Sequence, residues 1–227
     1  VGASMTRCAI DVREPFWCDV NARAERPIVL KRISLIGWLG WESVLFGNPA
    51  FVDALLTSQP DCILVEENLV GYQVDGGKKK GWLSNQHWQT ALKEWLKHVV
   101  RPDRDPGDYF EGRWMNPRLP RTVKEDEREG LVRSRHQRTV KSRDDNTHFN
   151  RFLKQARDRG ITVVMVNIPR PAPLETALHS GEKEVSFRDL ITGYAEDFGL
   201  VYWRFPDPVE WSAYRDSGHM NGKGMAL

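Results

Sequence analysis

Residues 161–168 read Ile-Thr-Val-Val-Met-Val-Asn-Ile, a nearly continuous apolar run that Pro169-Arg170-Pro171 breaks. A strand with one wet face alternates apolar and polar residues. An unbroken run of this length fits a strand covered on both faces, as parallel sheets require. Downstream, Phe187, Leu190, Ile191, Tyr194, Ala195 and Phe198 step by three and four residues, which predicts a helix with one apolar stripe. Gly199 is placed to end that helix, and Leu200-Val201-Tyr202-Trp203 predicts the next strand. Upstream, Cys62-Ile63-Leu64-Val65 is a second short apolar run, closed by Glu66-Glu67-Asn68. Before it, Asn48 to Ser58 predicts a short helix, with Asn48 as N-cap, Pro49 in the first turn and Pro60 as the stop. Pro27 to Ile36 predicts a further strand that runs into Gly37-Trp38-Leu39-Gly40. Strands joined by helix-sized connections imply an α/β fold. The expected architecture is a three-layer α/β/α domain with a central parallel sheet, spanning residues 1–227 as one unit.

Residues 75–160 depart from this rhythm. They hold 21 Lys and Arg against 13 Asp and Glu, a net charge of +8, whereas the rest of the chain has 12 against 18. They read as a basic, Trp-containing helical insertion. Trp88, Leu92, Trp95, Leu96 and Val99 share one helical stripe, and Leu131 to Val140 and Phe149 to Ala156 predict weaker helices. Arg101 to Arg121 is rich in Pro and Gly and reads as a surface excursion. The Arg133, Arg135, Arg138, Lys141 and Arg143 run is suited either to phosphates or to a salt-bridged helix with Glu125, Asp126, Glu127 and Glu129; the latter is favoured.

Composition narrows the function classes. The 227 residues are 40% hydrophobic and 28% charged, enough apolar material for one sizeable core. No run of about 18 apolar residues exists, so no segment is expected to span a membrane. A net charge of +2 argues against a dedicated nucleic-acid binder. Cys8, Cys18 and Cys62 contain no CxxC pair and read as reduced thiols, with a Cys8–Cys18 bridge the alternative. His87, His98, His136, His148 and His179 show no metal-ligand spacing, so neither metal nor cofactor is expected. The chain opens on Val1-Gly2-Ala3-Ser4, so further sequence, a signal or an anchor among the options, is expected before it.

The residues with chemical potential lie where strands end. Ser4 precedes the helix-compatible Met5 to Ile10, where free backbone N–H groups favour a developing oxyanion; the same position suits a plain N-cap. Asp216-Ser217-Gly218-His219 places a carboxylate three residues before an imidazole, which suits an oriented general base or, more simply, a cap and a surface histidine. Gly40 and Asn68 each follow an expected strand. A backbone N–H and a side-chain amide there are oxyanion donors or ordinary turn residues.

Taken in order, these blocks resemble the SGNH (GDSL-like) hydrolase family. Gly2-Ala3-Ser4 looks like its first block, with Ala3 where many members have Asp. Gly37-Trp38-Leu39-Gly40-Trp41-Glu42-Ser43 is similar to the second. Val65-Glu66-Glu67-Asn68 matches the third in its Asn but has Glu66 where Gly is usual. Asp216-Ser217-Gly218-His219-Met220-Asn221 followed by Gly224 looks like the fifth. The resemblance implies a flavodoxin-like sheet, a Ser4–His219–Asp216 triad and an oxyanion hole of the Ser4 N–H, the Gly40 N–H and the Asn68 side chain. Within the family, the Gly-x-Ser-x-x-Arg start, the Glu-x-Asn block and the long insertion look like the cell-surface polysaccharide O-acetyltransferases, the alginate acetylation proteins among them.

That resemblance implies a carbohydrate or acyl-ester substrate and an extracytoplasmic or envelope-anchored location, and it allows a membrane acyl-donor protein as partner. Trp38, Trp41 and Tyr72 are the candidate sugar-stacking residues. Water and a sugar hydroxyl attack the same acyl-enzyme, so the same residues serve an esterase and an O-acetyltransferase. Two alternatives stand beside this: a catalytically inactive glycan binder of the same fold, and an anion- or nucleic-acid-binding α/β domain that works through the basic insert.

Overall fold

The computed structural model describes residues 20–29, 45–74, 122–214, 219–221 and 223–224. Helix α1 (Pro49–Thr57) opens as the sequence predicts. The Asn48 side chain accepts the Phe51 N–H at 3.2 Å, and Pro49 has no N–H to leave unsatisfied. Strand β1 (Cys62–Glu66) passes directly into a one-turn helix, α2 (Glu67–Val70), and then into β2 (Tyr72–Val74). The chain next carries α3 (Glu125–His136), β3 (Arg138–Val140), α4 (Thr147–Asp158), β4 (Thr162–Val166), α5 (Ala172–Leu178), α6 (Glu182–Phe198) and β5 (Val201–Trp203).

β1, β4 and β5 form a parallel sheet in that order, with Cys62 opposite Thr162 and Val164 opposite Val201. Parallel pairing needs helical crossovers, and α4 and α6 are among the elements that supply them. Ile63 and Val65 of β1 and Val163 and Met165 of β4 face the main core. There they meet Val52 and Leu56 of α1, Phe149, Phe152 and Leu153 of α4, and Phe187, Leu190 and Tyr194 of α6. The opposite face presents Leu64, Val164 and Val166. These pack with Leu131 of α3 and with Ala213, Tyr214 and Met220 of the C-terminal segment. Both faces are therefore covered, which explains why the 161–168 run is apolar without alternation. The result is a mixed α/β fold with a central parallel sheet flanked by helices, compatible with three layers.

Helix α6 ends where the sequence places it, at Gly199, whose φ of 70° is the left-handed conformation that glycine adopts without strain. Two local expectations need correcting. Residues 138–140 were expected to continue a helix but form β3, antiparallel to β2, with Tyr72 opposite Val140 and Val74 opposite Arg138. Thr139 and Val140 are β-branched and suit the extended ladder better than a helix. Helix α5 was not expected at all. It starts after Pro171, with proline in its first turn, and buries Leu174, Ala177 and Leu178.

The basic stretch is described from residue 122 onward. Within it, β3 pairs with β2 as a two-stranded antiparallel ribbon, and α3, which precedes β3, already packs on the main body through Leu131. Lys141 extends this ribbon by donating its N–H to Gly71 O at 3.0 Å. Helix α4, although inside the same basic stretch, is a core element: Phe149, Phe152, Leu153 and Ala156 are fully enclosed. The expected helix over Trp88 to Val99 and the excursion over Arg101 to Arg121 lie outside the described residues. The strand expected over Pro27 to Ile36 is described only as far as Val29, in coil. Among the described residues, no helix is long and apolar enough to cross a membrane.

Phe152 stacks on Phe46 at 4.6 Å between ring centroids and has no exposed surface. Phe152→Ala is expected to cost about 3–5 kcal/mol in chemical denaturation, the loss of a fully buried ring plus the cavity it leaves.

Candidate functional site

Because β1, β4 and β5 are parallel, their C-terminal ends share one edge of the sheet, where ligands of open α/β sheets bind. That edge carries Glu67 and Asn68 after β1, Asn167, Pro169 and Arg170 after β4, and Arg204 and Phe205 after β5. A backbone bond from Asn167 N–H to Trp203 O at 2.9 Å holds the last two strand ends together.

Glu67 is the hub. It has no exposed surface. Its Oε2 accepts the Asn167 amide at 3.0 Å and the Tyr202 hydroxyl at 2.6 Å. Its Oε1 lies 3.5 Å from His179 Nε2 and 3.7 Å from an Arg170 guanidinium nitrogen. Arg170, equally buried, donates to Glu175 Oε1 at 3.1 Å. Burial alone would push the Glu67 carboxyl up. The His179 contact, the Arg170 charge and the Tyr202 hydroxyl outweigh it and hold the group at about 2, well below its ordinary 4.5. Burial would lower the Arg170 pKa, but the Glu67 and Glu175 charges raise it instead, so the ion pair stays charged. The Tyr72 and Tyr202 phenols are pushed up by burial and then by the Glu67 charge, and remain neutral donors.

Asn68 sits where the sequence predicts, immediately after a parallel strand. Its Nδ2 donates to Glu66 Oε1 at 3.2 Å. The Glu66 carboxylate thereby fixes the plane of the Asn68 amide. His219 lies in the C-terminal segment, half-buried, beside Met220. Met220 bridges Tyr214, and both pack against Val166 and Ile168 at the end of β4. The Tyr214 hydroxyl in turn donates to Pro169 O. His219 is thus delivered to the same edge as Asn68. Ser4, Gly40, Asp216, Trp38 and Trp41 lie outside the described residues.

Tyr72 needs correction as a sugar-stacking residue. Its ring is 5% exposed and stacks on Phe187 at 5.3 Å, and its hydroxyl meets His179 Nδ1 at 3.1 Å. It belongs to the core and to the buried network, where no sugar ring reaches its face. The arginine run is also engaged internally. Arg133 pairs with Glu129 at 2.8 Å. Arg143 pairs with Asp197 and lies over the Tyr194 and Phe198 rings at 5.6 and 5.8 Å. Arg135 is buried.

Further residues complete the edge. Asn221 Nδ2 donates to Ser212 O at 2.8 Å, and its Oδ1 accepts the N–H groups of Lys223 and Gly224 at 2.9 and 3.2 Å. It ties the segment carrying His219 to residues 211–213. Gly224 is required by a close approach of the backbone: a Cβ there would lie 2.3 Å from Ala213 O. Glu67, Arg170, Glu175 and His179 had no sequence signal beyond their position after strands or in an amphipathic turn. No family model, curated protein or solved structure matches the chain.

The depressed Glu67 pKa has a definite sign. The group stabilises the fold fully above its unfolded value near 4.5, and that stabilisation is lost as pH falls toward about 2. The shift is worth roughly 3 kcal/mol. Denaturation midpoints are expected to fall across this window, and Glu67→Gln is expected to flatten the fall. At neutral pH Glu67→Gln should cost about 3–5 kcal/mol, because Arg170 loses a buried counter-charge.

Proposed function

We propose that this chain is a serine-dependent acyl-transfer domain of the SGNH type, an esterase or O-acetyltransferase acting on a carbohydrate hydroxyl or its acyl ester. The observation that carries the reading is the convergence of Asn68 and the His219 segment on the C-terminal edge of a parallel sheet. The strand order supports it as well. Three parallel strands whose order in the sheet follows the chain, β1, β4 and β5, are what one half of a flavodoxin-like sheet contains.

In this reading His219 takes the proton of the Ser4 hydroxyl as Oγ attacks the acyl carbonyl, and Asp216 holds the imidazole in the required tautomer. Charge collects on the carbonyl oxygen. The backbone N–H groups of Ser4 and Gly40 and the Asn68 amide donate to it. His219 then returns the proton to the leaving oxygen, and the acyl group rests on Ser4. Water completes an esterase cycle; a sugar hydroxyl completes transfer. Glu66 and Asn221 act through other residues, Glu66 by setting the Asn68 amide and Asn221 by fixing the His219 segment. The engagement of Arg133 and Arg143 with Glu129 and Asp197 favours this reading over one based on phosphate tracking.

Turnover of p-nitrophenyl acetate tests the proposal. Ser4→Ala is expected to abolish it with the melting temperature nearly unchanged; retained turnover would mean that another group is the nucleophile. Asn68→Ala should lower kcat about 100- to 1000-fold with little change in KM, since the donor acts on charge that develops in the transition state. If Asn68 is only a turn former, the same variant loses stability while each folded molecule keeps its rate.

A further inference from the structure

An open cleft of about 410 Å³ lies at the ends of β4 and β5, and no residue assigned above to the acyl-transfer chemistry lines it. Thr176 of α5, Arg204 and Asp207 line its mouth, with Glu175 and His179 of the buried network at its floor. Phe205 forms one side. It is 39% exposed and stacks on Trp203 with ring centroids 5.0 Å apart and an interplanar angle of 26°. Trp203 is 50% exposed. Two adjacent aromatic rings left in solvent give up apolar burial, which is the usual mark of a ligand-facing surface.

The loop that carries Phe205 is anchored at both ends. Asn167 N–H bonds to Trp203 O at 2.9 Å, and Val209 N–H bonds to Arg170 O at 3.2 Å. Pro206 and Pro208 fix φ between these anchors, so the aromatic platform is held before any ligand arrives. Charges around the cleft are matched. Arg204 faces Glu175 at 3.8 Å, Arg170 is shared between Glu175 and Glu67, and Asp207 adds a carboxylate. Among the described residues lining the cleft, no cation is left over for an acidic ligand.

We propose that this cleft is a subsite for an uncharged glycan, a sugar ring lying on the face of Phe205 that Trp203 backs from the other side, with its hydroxyls toward Thr176, Arg204 and Asp207. Pro169, one wall of the cleft, accepts the Tyr214 hydroxyl bond, and Tyr214 bridges Met220 beside His219. The subsite therefore adjoins the segment that carries His219. Its role as an acceptor subsite rests on the acyl-transfer reading; glycan binding itself does not.

The test is calorimetric titration of the Ser4→Ala protein, in which no turnover intervenes. The probes are tetramers of β-1,4-linked glucose, of β-1,4-linked N-acetylglucosamine and, as the charged comparison, of galacturonic acid. At least one neutral tetramer is expected to bind more tightly than the galacturonate. Phe205→Ala and Trp203→Ala should each weaken it about tenfold, an aromatic contact of about 1.4 kcal/mol, and Phe205→Trp should retain it. Both rings are exposed, so the melting temperature should hold. No neutral tetramer binding, tighter galacturonate binding, or unchanged affinity in both alanine variants would overturn the subsite. If ester turnover by the wild-type chain depends on Ser4 while the alanine variants bind normally, the subsite fails alone. If the chain turns over no ester yet binds the tetramer through Phe205, the acyl-transfer reading fails and the glycan site stands.

Discussion

Glu67 is a carboxylate with no exposed surface, placed where three parallel strands end. Enclosing such a charge costs several kcal/mol unless partners replace its water. The partners come from every neighbouring element: Asn167 after β4, Tyr202 within β5, and Arg170 and His179 at either end of α5. One side chain therefore registers the ends of the sheet against each other and against the helix that follows β4. Its low pKa is the thermodynamic trace of that arrangement. Removing one partner leaves the other charges uncompensated, so the edge is expected to behave as a unit.

That unit fixes what is built on it. Asn68 follows Glu67 directly, so anchoring Glu67 also places the backbone from which the Asn68 amide projects. The segment bearing His219 is seated separately, by Asn221 on residues 211–213 and by Tyr214 and Met220 against β4. The loop after β5 is fastened to Arg170 and Asn167. Asn68 and the loop after β5 are thus both tied to the Glu67 network, while the segment bearing His219 is seated on β4 by its own contacts. Pre-positioned donors and bases are what acyl transfer requires, since groups already in place need no reorganisation as charge develops.

Most of the scaffold is legible in the chain, for physical reasons. Asn48 with Pro49, the apolar run at 161–168, the stripe from Phe187 to Phe198 and Gly199 each carry a local signal that tertiary packing left intact. Residues 138–140 misled because three residues are too few to show a period, and pairing with β2 decided them. Helix α4 looked like part of a charged excursion because its outer face is basic, while Phe149, Phe152 and Leu153 turn inward. Of the residues at this edge, only some carry a sequence signal. Asn68, just past β1, and His219, beside the Tyr214–Met220 bridge, stand out by residue type. Glu67 and Arg170 do not, because a charged residue in a sequence looks solvated until its partners, about a hundred residues away for Glu67 and Asn167, are brought beside it. Tyr72 failed in the opposite way: an aromatic next to a site block read as a ligand surface, and the fold uses it as core.

The central proposal is that Ser4 carries an acyl group during turnover. Acid-quenching the chain during p-nitrophenyl acetate turnover and mapping the adduct by peptide mass spectrometry tests it directly. The account predicts one acetyl ester, on Ser4, that is absent from the Ser4→Ala chain and strongly reduced when His219 is replaced by a residue that cannot take the serine proton. An unmodified Ser4 in a chain that turns over the ester, or an adduct on a different residue, would contradict it.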